Sequence, residues 1–237
     1  MYGWRGRIGL VVPSSNTTME AEFWRYVPYG VSVHVTRVAL KRVTVEELRV
    51  MAEKAEEAAE LLATAGVDVI VYGCTTGSLL EGVEWEKSLV KRMESRAGIP
   101  VITTARAVVE ALRTLSAKDI VVVTPYIDEL NEREKRFLEE AGFRVIRIVG
   151  MGIVDNREIG SVPPGKVYRM AKKVFVPEAD ALFISCTNLQ TLPIIDTLEQ
   201  DLGKPVVSSN SATLWAALRR IGIYEKLSCC GRLLRAS

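Results

Sequence analysis

The sequence predicts an α/β protein of two half-domains, each a short parallel sheet flanked by helices, facing each other as a pseudo-twofold pair. Two observations carry this. Apolar runs of strand length alternate with helical segments along the whole chain, the pattern of βαβ units. The chain also repeats itself. Val69-Ile70-Val71-Tyr72-Gly73-Cys74-Thr75 is echoed by Leu182-Phe183-Ile184-Ser185-Cys186-Thr187. Ile8-Gly9-Leu10-Val11-Val12-Pro13 is echoed by Ile120-Val121-Val122-Val123-Thr124-Pro125. Pro13 stands 61 residues before Cys74, and Pro125 stands 61 before Cys186. Gly98-Ile99-Pro100-Val101 has its counterpart in Gly203-Lys204-Pro205-Val206. Three landmarks in one order indicate two copies of one unit, with a period too long for a solenoid.

The elements follow in order. Ile8 to Val12 is a continuous apolar run, read as a buried strand. Thr17 and Glu20 have capping-box spacing, so a helix is expected from there towards Tyr26. Val31, Val33 and Val35 alternate with polar residues, the period of a half-exposed strand. Thr44-Val45-Glu46-Glu47 reads as a second capping box, opening one long helix that ends near Gly66. The strand before Cys74 follows, then a helix over 84–96, a strand over 100–103 and a helix over 106–115. The second copy repeats the theme: strand 120–123, helix 130–140, strand 143–149. Residues 150–165 read as loop, rich in Gly and Pro. A helix over 167–174, the strand before Cys186, a helix over 189–200, a strand over 206–208 and a helix over 212–221 complete it. The tail from Ser228 has no clear pattern.

Bulk properties narrow the function. The chain has 237 residues, of which 48% are apolar and 25% charged, an ordinary globular composition. The net charge is +2 and no basic run appears, so nucleic acid is not expected as the main partner. The apolar runs are too short for a signal peptide or a membrane span, which points to the cytoplasm and no membrane partner. Thiols stay reduced there, so the four cysteines read as chemistry or core rather than disulfides.

In open parallel sheets, ligands bind beyond the carboxyl ends of the strands. Those ends carry Ser14, Asn16, Cys74, Thr75, Thr103, Tyr126, Cys186 and Thr187, so both cysteines would flank one cleft. The single histidine, His34, sits on the polar face of a strand, with nothing to place it beside either cysteine, which disfavours a Cys-His hydrolase. Each cysteine instead ends a strand where a turn leads to a helix. Backbone N–H groups and a helix dipole would favour a thiolate there, and the same groups would bind a carboxylate. Small hydroxyl residues such as Thr75, Thr76 and Ser78 let the backbone approach a ligand closely. Two facing thiols suit proton removal on one face and delivery on the other, or attack by one and proton transfer by its partner. Both could also be core cysteines. No CxxC or histidine cluster suggests zinc, Cys229-Cys230 reads as an inert tail feature, and neither a P-loop nor a full GxGxxG is present, so no metal or cofactor is expected.

Four segments carry a family resemblance. Pro13-Ser14-Ser15-Asn16-Thr17-Thr18-Met19-Glu20, Gly73-Cys74-Thr75-Thr76-Gly77-Ser78, Thr124-Pro125-Tyr126 and Ser185-Cys186-Thr187-Asn188-Leu189-Gln190-Thr191 together resemble the maleate cis-trans isomerase family. That family lies in the cofactor-independent aspartate/glutamate racemase superfamily, with arylmalonate decarboxylase and hydantoin racemase. The resemblance reaches to about Ile223. It implies two Rossmann-like lobes, with the last helix crossing back onto the first: residues 1–104 with 210–237, and residues 105–209. It implies that Cys74 adds to the double bond of maleate, that the adduct rotates and eliminates as fumarate, and that Cys186 handles the proton. Asn16, Tyr126 and Asn156 would hold the carboxylates. The same residues admit plainer roles: Asn16 as a helix cap, Tyr126 as a rim aromatic, Asn156 as a turn residue. Arg106 reads as a solvated helix arginine.

The expected function is thus isomerisation of a small dicarboxylate without a cofactor. A two-thiol amino-acid or hydantoin racemase is the alternative. An arylmalonate-type decarboxylase is disfavoured by Cys74, since that enzyme as the family is known lacks a cysteine on the first lobe. A binding protein that has lost its activity is disfavoured by the intact pair. An apolar helix face left exposed on either lobe could carry a homodimer contact.

Overall fold

The computed structural model describes residues 2–235. Met1 and the last two residues, which fall within the first-lobe expectation, lie outside the described residues. The first copy runs β1 (Gly6–Pro13), α1 (Met19–Tyr26), β2 (Val31–Val38), α2 (Val45–Glu53), α3 (Ala55–Thr64), β3 (Val69–Tyr72), α4 (Thr75–Leu79), α5 (Val83–Ala97), β4 (Val101–Thr103) and α6 (Thr104–Thr114). The second runs β5 (Asp119–Thr124), α7 (Asp128–Glu140), β6 (Arg144–Gly150), α8 (Asn156–Gly160), α9 (Pro164–Val174), β7 (Ala181–Ile184), α10 (Leu192–Leu202), β8 (Val206–Ser208), α11 (Ser209–Arg220) and α12 (Gly231–Arg235). The sheet orders are β2-β1-β3-β4 and β6-β5-β7-β8, all parallel, so the duplication seen in the sequence is one of topology. The central strands β1, β3, β5 and β7 are buried nearly throughout, as sheets covered on both faces require.

Several boundaries depart from expectation for physical reasons. The helix expected from Thr17 begins at Met19. Its cap is the Asn16 carboxamide, whose Oδ1 accepts from the Thr18 and Met19 N–H groups at 3.0 Å each. The long helix from Thr44 breaks at Lys54 into α2 and α3. Thr44 Oγ1 accepts from the Glu47 N–H, but the Glu47 carboxylate turns back to the Lys41 and Arg42 N–H groups instead of closing the box. The 150–165 segment contains α8, capped by the Asp155 carboxylate. The tail is docked. Asp196 of α10 accepts from the Cys230 and Gly231 N–H groups and Glu199 from that of Arg232, and α12 buries Leu233 and Leu234.

The two copies meet through α6 and α11, which pack on each other; α6 reaches β8, and α11 reaches β3 and β4. A second tie is Glu22 of α1, buried against the opposite copy. One carboxylate oxygen accepts from the Thr191 and Leu192 N–H groups, at 2.8 and 3.0 Å, where the first turn of α10 leaves donors unsatisfied. The other accepts from Asn210 Nδ2 at 2.6 Å. Burial pushes this carboxyl up to about 7, against the opposing pull of these three bonds. The folded state therefore binds its proton more tightly than the unfolded chain, and the contribution of Glu22 to stability fades as pH rises from about 4.5 towards 7. Removing the side chain orphans buried donors on α10. Glu22→Ala is expected to lower the unfolding free energy by about 2–4 kcal/mol, read as a shift of the urea midpoint near pH 6. An unchanged midpoint would mean that the helix end finds other acceptors.

Candidate active site

The site forms where the two copies face each other. Cys74 is the N-cap of α4, and its Sγ accepts from the Gly77 N–H at 3.4 Å. Its second neighbour is the Thr76 hydroxyl at 3.9 Å. Gly77 has a steric reason: a Cβ there would stand 2.9 Å from the Cys74 sulfur. Cys186 is held differently. It leads into a turn rather than a helix, with φ at 97°, a left-handed conformation costly for a residue with a Cβ. Its N–H donates to Ser209 Oγ at 3.0 Å, and its Sγ accepts from the Asn188 N–H at 3.4 Å. The Tyr126 hydroxyl also donates towards this sulfur.

Cys74, Cys186, Asn16, Thr75, Thr76, Tyr126, Asn156 and Thr187, all expected at the site, line one cavity together with Pro13, Leu40 and Val43. Each of these eight is buried. Asn16 takes the helix-cap role considered for it, with its amide N–H turned towards the second copy. While its Oδ1 caps α1, its Nδ2 donates to Thr187 Oγ1 at 3.0 Å, and that hydroxyl donates to the Gly73 carbonyl. Ser14 is the exception. It is exposed, and its hydroxyl bonds the Leu40 main chain, because Pro13 ends the strand and turns Ser14 outward from the cleft. Arg106 lies beside Glu86, and His34 bonds Ser32 on β2.

Ser209, Asn188 and the pair Leu40 and Val43 were not singled out from the sequence. Ser209 Oγ shares a hydrogen bond of 2.9 Å with Thr75 Oγ1 while accepting from Cys186, so one hydroxyl ties the two cysteine loops together. Asn188 Oδ1 accepts from the Thr17 N–H, and its Nδ2 donates to the Asn156 carbonyl. Leu40 and Val43 belong to a strap over the cavity. The Val43 N–H donates to the Val154 carbonyl, the Asn156 N–H to that of Lys41, and Asn156 Nδ2 to Ser15 Oγ. The cavity beneath is about 10 Å³, room for roughly one water. A ligand larger than that enters only if the cavity opens.

Closure decides the state of the thiols. Burial pushes Cys74 up to about 11, outweighing the Gly77 and Thr76 hydrogen bonds, and Cys186 up to about 12, outweighing those of Tyr126 and Asn188. The thiolate expected from the helix dipole is therefore absent from the closed site: α4 has five residues, too few for a large dipole, and desolvation wins. A charge on Cys74 raises Cys186 further. Burial thus keeps both thiols protonated in the closed site, and ionising one makes the other harder to ionise. In the ligand-free protein, iodoacetamide should reach Cys74 and Cys186 more slowly than half-buried Cys229 near pH 7. Their labelling should rise about tenfold per pH unit on the alkaline side, read by peptide mass. Fast, pH-independent labelling of Cys74 would contradict a neutral resting thiol.

Comparison with known proteins fits this geometry. The family model described as arylmalonate decarboxylase matches residues 8–234. The maleate isomerase of Nocardia farcinica is 33% identical over 239 residues, covering 97% of this chain and 95% of that protein. A crystal structure of a cysteine-to-alanine variant of the maleate isomerase from Pseudomonas putida, with maleate, superposes with a TM-score of 0.94 at 28% identity, covering 98% of each chain. A cysteine-to-serine variant of the Nocardia farcinica maleate cis-trans isomerase, with a covalently bound succinylcysteine intermediate, superposes at 0.90 with 32% identity, covering 97% of this chain and 98% of that one. The chain belongs to the family of arylmalonate decarboxylase and maleate cis-trans isomerase.

Proposed function

We propose that this protein converts maleate to fumarate without a cofactor, with Cys74 as nucleophile and Cys186 as the group that handles the proton. The observation that carries the reading is the pair of buried thiols, one from each copy, lining one cavity. The reactive state holds one thiolate and one thiol. Cys74 sulfur bonds one alkene carbon while the Cys186 S–H protonates the other, leaving a succinyl thioether on Cys74 and a thiolate on Cys186. The former double bond is now single and rotates. The Cys186 thiolate then removes the proton, the C–S bond breaks, and fumarate leaves with Cys74 again a thiolate. One negative charge and one proton are conserved on the pair throughout. The succinylcysteine on the Nocardia relative matches the adduct this scheme requires.

Neutral donors would hold the carboxylates: the amide groups of Asn16 and Asn156, the Tyr126 hydroxyl, and the hydroxyls of Thr75, Thr76 and Thr187. The first-turn N–H groups of α4 would add to them. Pro13, Leu40 and Val43 supply an apolar wall past which the adduct can rotate. Residues 1–104 with 210–237, and residues 105–209, would act as the two lobes, parting to admit substrate. The chemistry needs both thiols reduced, as the cytoplasm keeps them.

Proton NMR of the protein with maleate in D₂O tests this directly. The expected result is a fumarate signal from wild type and none above background from Cys74→Ala or Cys186→Ala, a loss of roughly 10³-fold or more. Fumarate formed equally by either variant would sink the two-thiol scheme. Deuterium entering the α-carbon of aspartate, glutamate or a hydantoin, with no fumarate, would instead identify a racemase.

A further inference from the structure

The scheme leaves one buried acid without a task. Glu134 of α7 is wholly buried, and among the described residues neither of its carboxyl oxygens has a hydrogen-bond partner. It faces the Ser185 hydroxyl, which is also wholly buried and in no closed hydrogen bond. Ser185 is joined directly to Cys186, and the Glu134 charge acts on both Cys186 and Tyr126.

The duplication supplies a comparison. Pro13 and Pro125, Glu22 and Glu134, and Cys74 and Cys186 are all separated by the same 112 residues. Glu22 has an evident structural role, since it caps α10 and binds Asn210. Its counterpart occupies the same place in the repeat and faces only the Ser185 hydroxyl, with no closed hydrogen bond among the described residues. A carboxyl without a partner is costly as packing material. Burial pushes it up to about 8, so at neutral pH it is a protonated acid that can donate to Ser185 after a small rotation.

We propose that Glu134 is a positioning residue for the proton-handling half of the site. As the neutral acid, paired with Ser185 behind Cys186, it leaves Cys186 free to carry the negative charge of the thioether intermediate; as a carboxylate, it drives that charge off Cys186. The proposal rests on the isomerase reading of Cys186. Tyr126 and Cys186 are the titratable groups its charge meets. Of the elements packed on α7, α4 carries no titratable side chain, and on β6 Arg144 is taken by Asp119 and Arg147 by the Val174 carbonyl. On α7 itself, Arg133 is directed to the Leu80 carbonyl and Glu129.

The test follows iodoacetamide labelling of Cys186 across pH in the Cys74→Ser background, with and without Glu134→Gln. Cys229 serves as the internal control, and fumarate production by the otherwise wild-type protein is measured alongside. At about pH 6 both proteins should label Cys186 equally. At about pH 9 the Gln protein should label it at least about threefold faster, because no carboxylate opposes the thiolate. Glu134→Asp, which keeps the acid, should retain the slow alkaline labelling. The kcat of the Gln enzyme should lack the alkaline decline of wild type. Thermal melting checks the fold, and Glu134→Gln should melt no lower than wild type at pH 8, since it buries no ionisable group. Equal Cys186 labelling at every pH, with wild type making fumarate, overturns the role of Glu134 alone. No fumarate from wild type overturns the isomerase reading, and the proposal with it.

Discussion

Two thiols in one buried pocket cannot both be ionised, and the architecture around them follows from that constraint. Each charge is opposed by burial, and the second is opposed by the first as well. What the proposed scheme asks of the pocket is one negative charge, passed from one sulfur to the other as the second thiol gives its proton to carbon. That is the requirement of an addition that must later be reversed. The strap over Leu40 and Val43 belongs to the same logic. It covers the two sulfurs and leaves room for roughly one water beside them.

Holding two sulfurs from different sheets in register demands a stiff seam. The hydrogen bonds that provide it come from small side chains rather than from ion pairs. Asn16, Thr187 and the Gly73 carbonyl form one line across the cleft. Ser209 binds the Thr75 loop and the Cys186 N–H at once. Asn188 joins the start of α1 to that of α8. Most of these groups are neutral, so they avoid the desolvation cost that buried charges would bring and leave the field at the sulfurs to the sulfurs themselves. Glu22 is the ionisable exception; burial raises it to about 7 despite the helix-end N–H groups it accepts from.

What could be read from the sequence was what the duplication repeats. Equal spacing from proline to cysteine revealed the two copies and the opposition of Cys74 and Cys186, because a strand end is a point the local pattern defines; the strand order within each sheet had no such local signal. Asn16, Thr75, Thr76, Tyr126 and Thr187 were legible for the same reason: they lie within a few residues of such an end. Ser14 lies equally close, yet the chain turns at Pro13, and one residue of rotation sends its hydroxyl to Leu40. Ser209 was hidden because its function depends on α11 returning between the two loops, a tertiary event with no local signature. Leu40 and Val43 look like any apolar loop residues until the 151–156 segment closes on them. The docking of α12 depends on Asp196 and Glu199, which on their own helix read as a solvated face.

The symmetry is broken in a way that separates the two roles. In the first copy the residue before the cysteine is Gly73, where a Cβ would strike Met19, and the acid Glu22 is turned away to cap a helix. In the second, the matching residue is Ser185, and the acid Glu134 remains beside it, without a partner. The first cysteine heads a short helix and accepts a backbone N–H in a relaxed conformation; the second is set in a left-handed turn with Tyr126 at its sulfur. A fold that repeats exposes two equivalent thiols to one substrate. These few departures from repetition give the two thiols different surroundings, and in the proposed scheme the second has a phenol and a neutral acid to govern its proton, which is how a duplicated scaffold could carry a reaction whose two ends are chemically different.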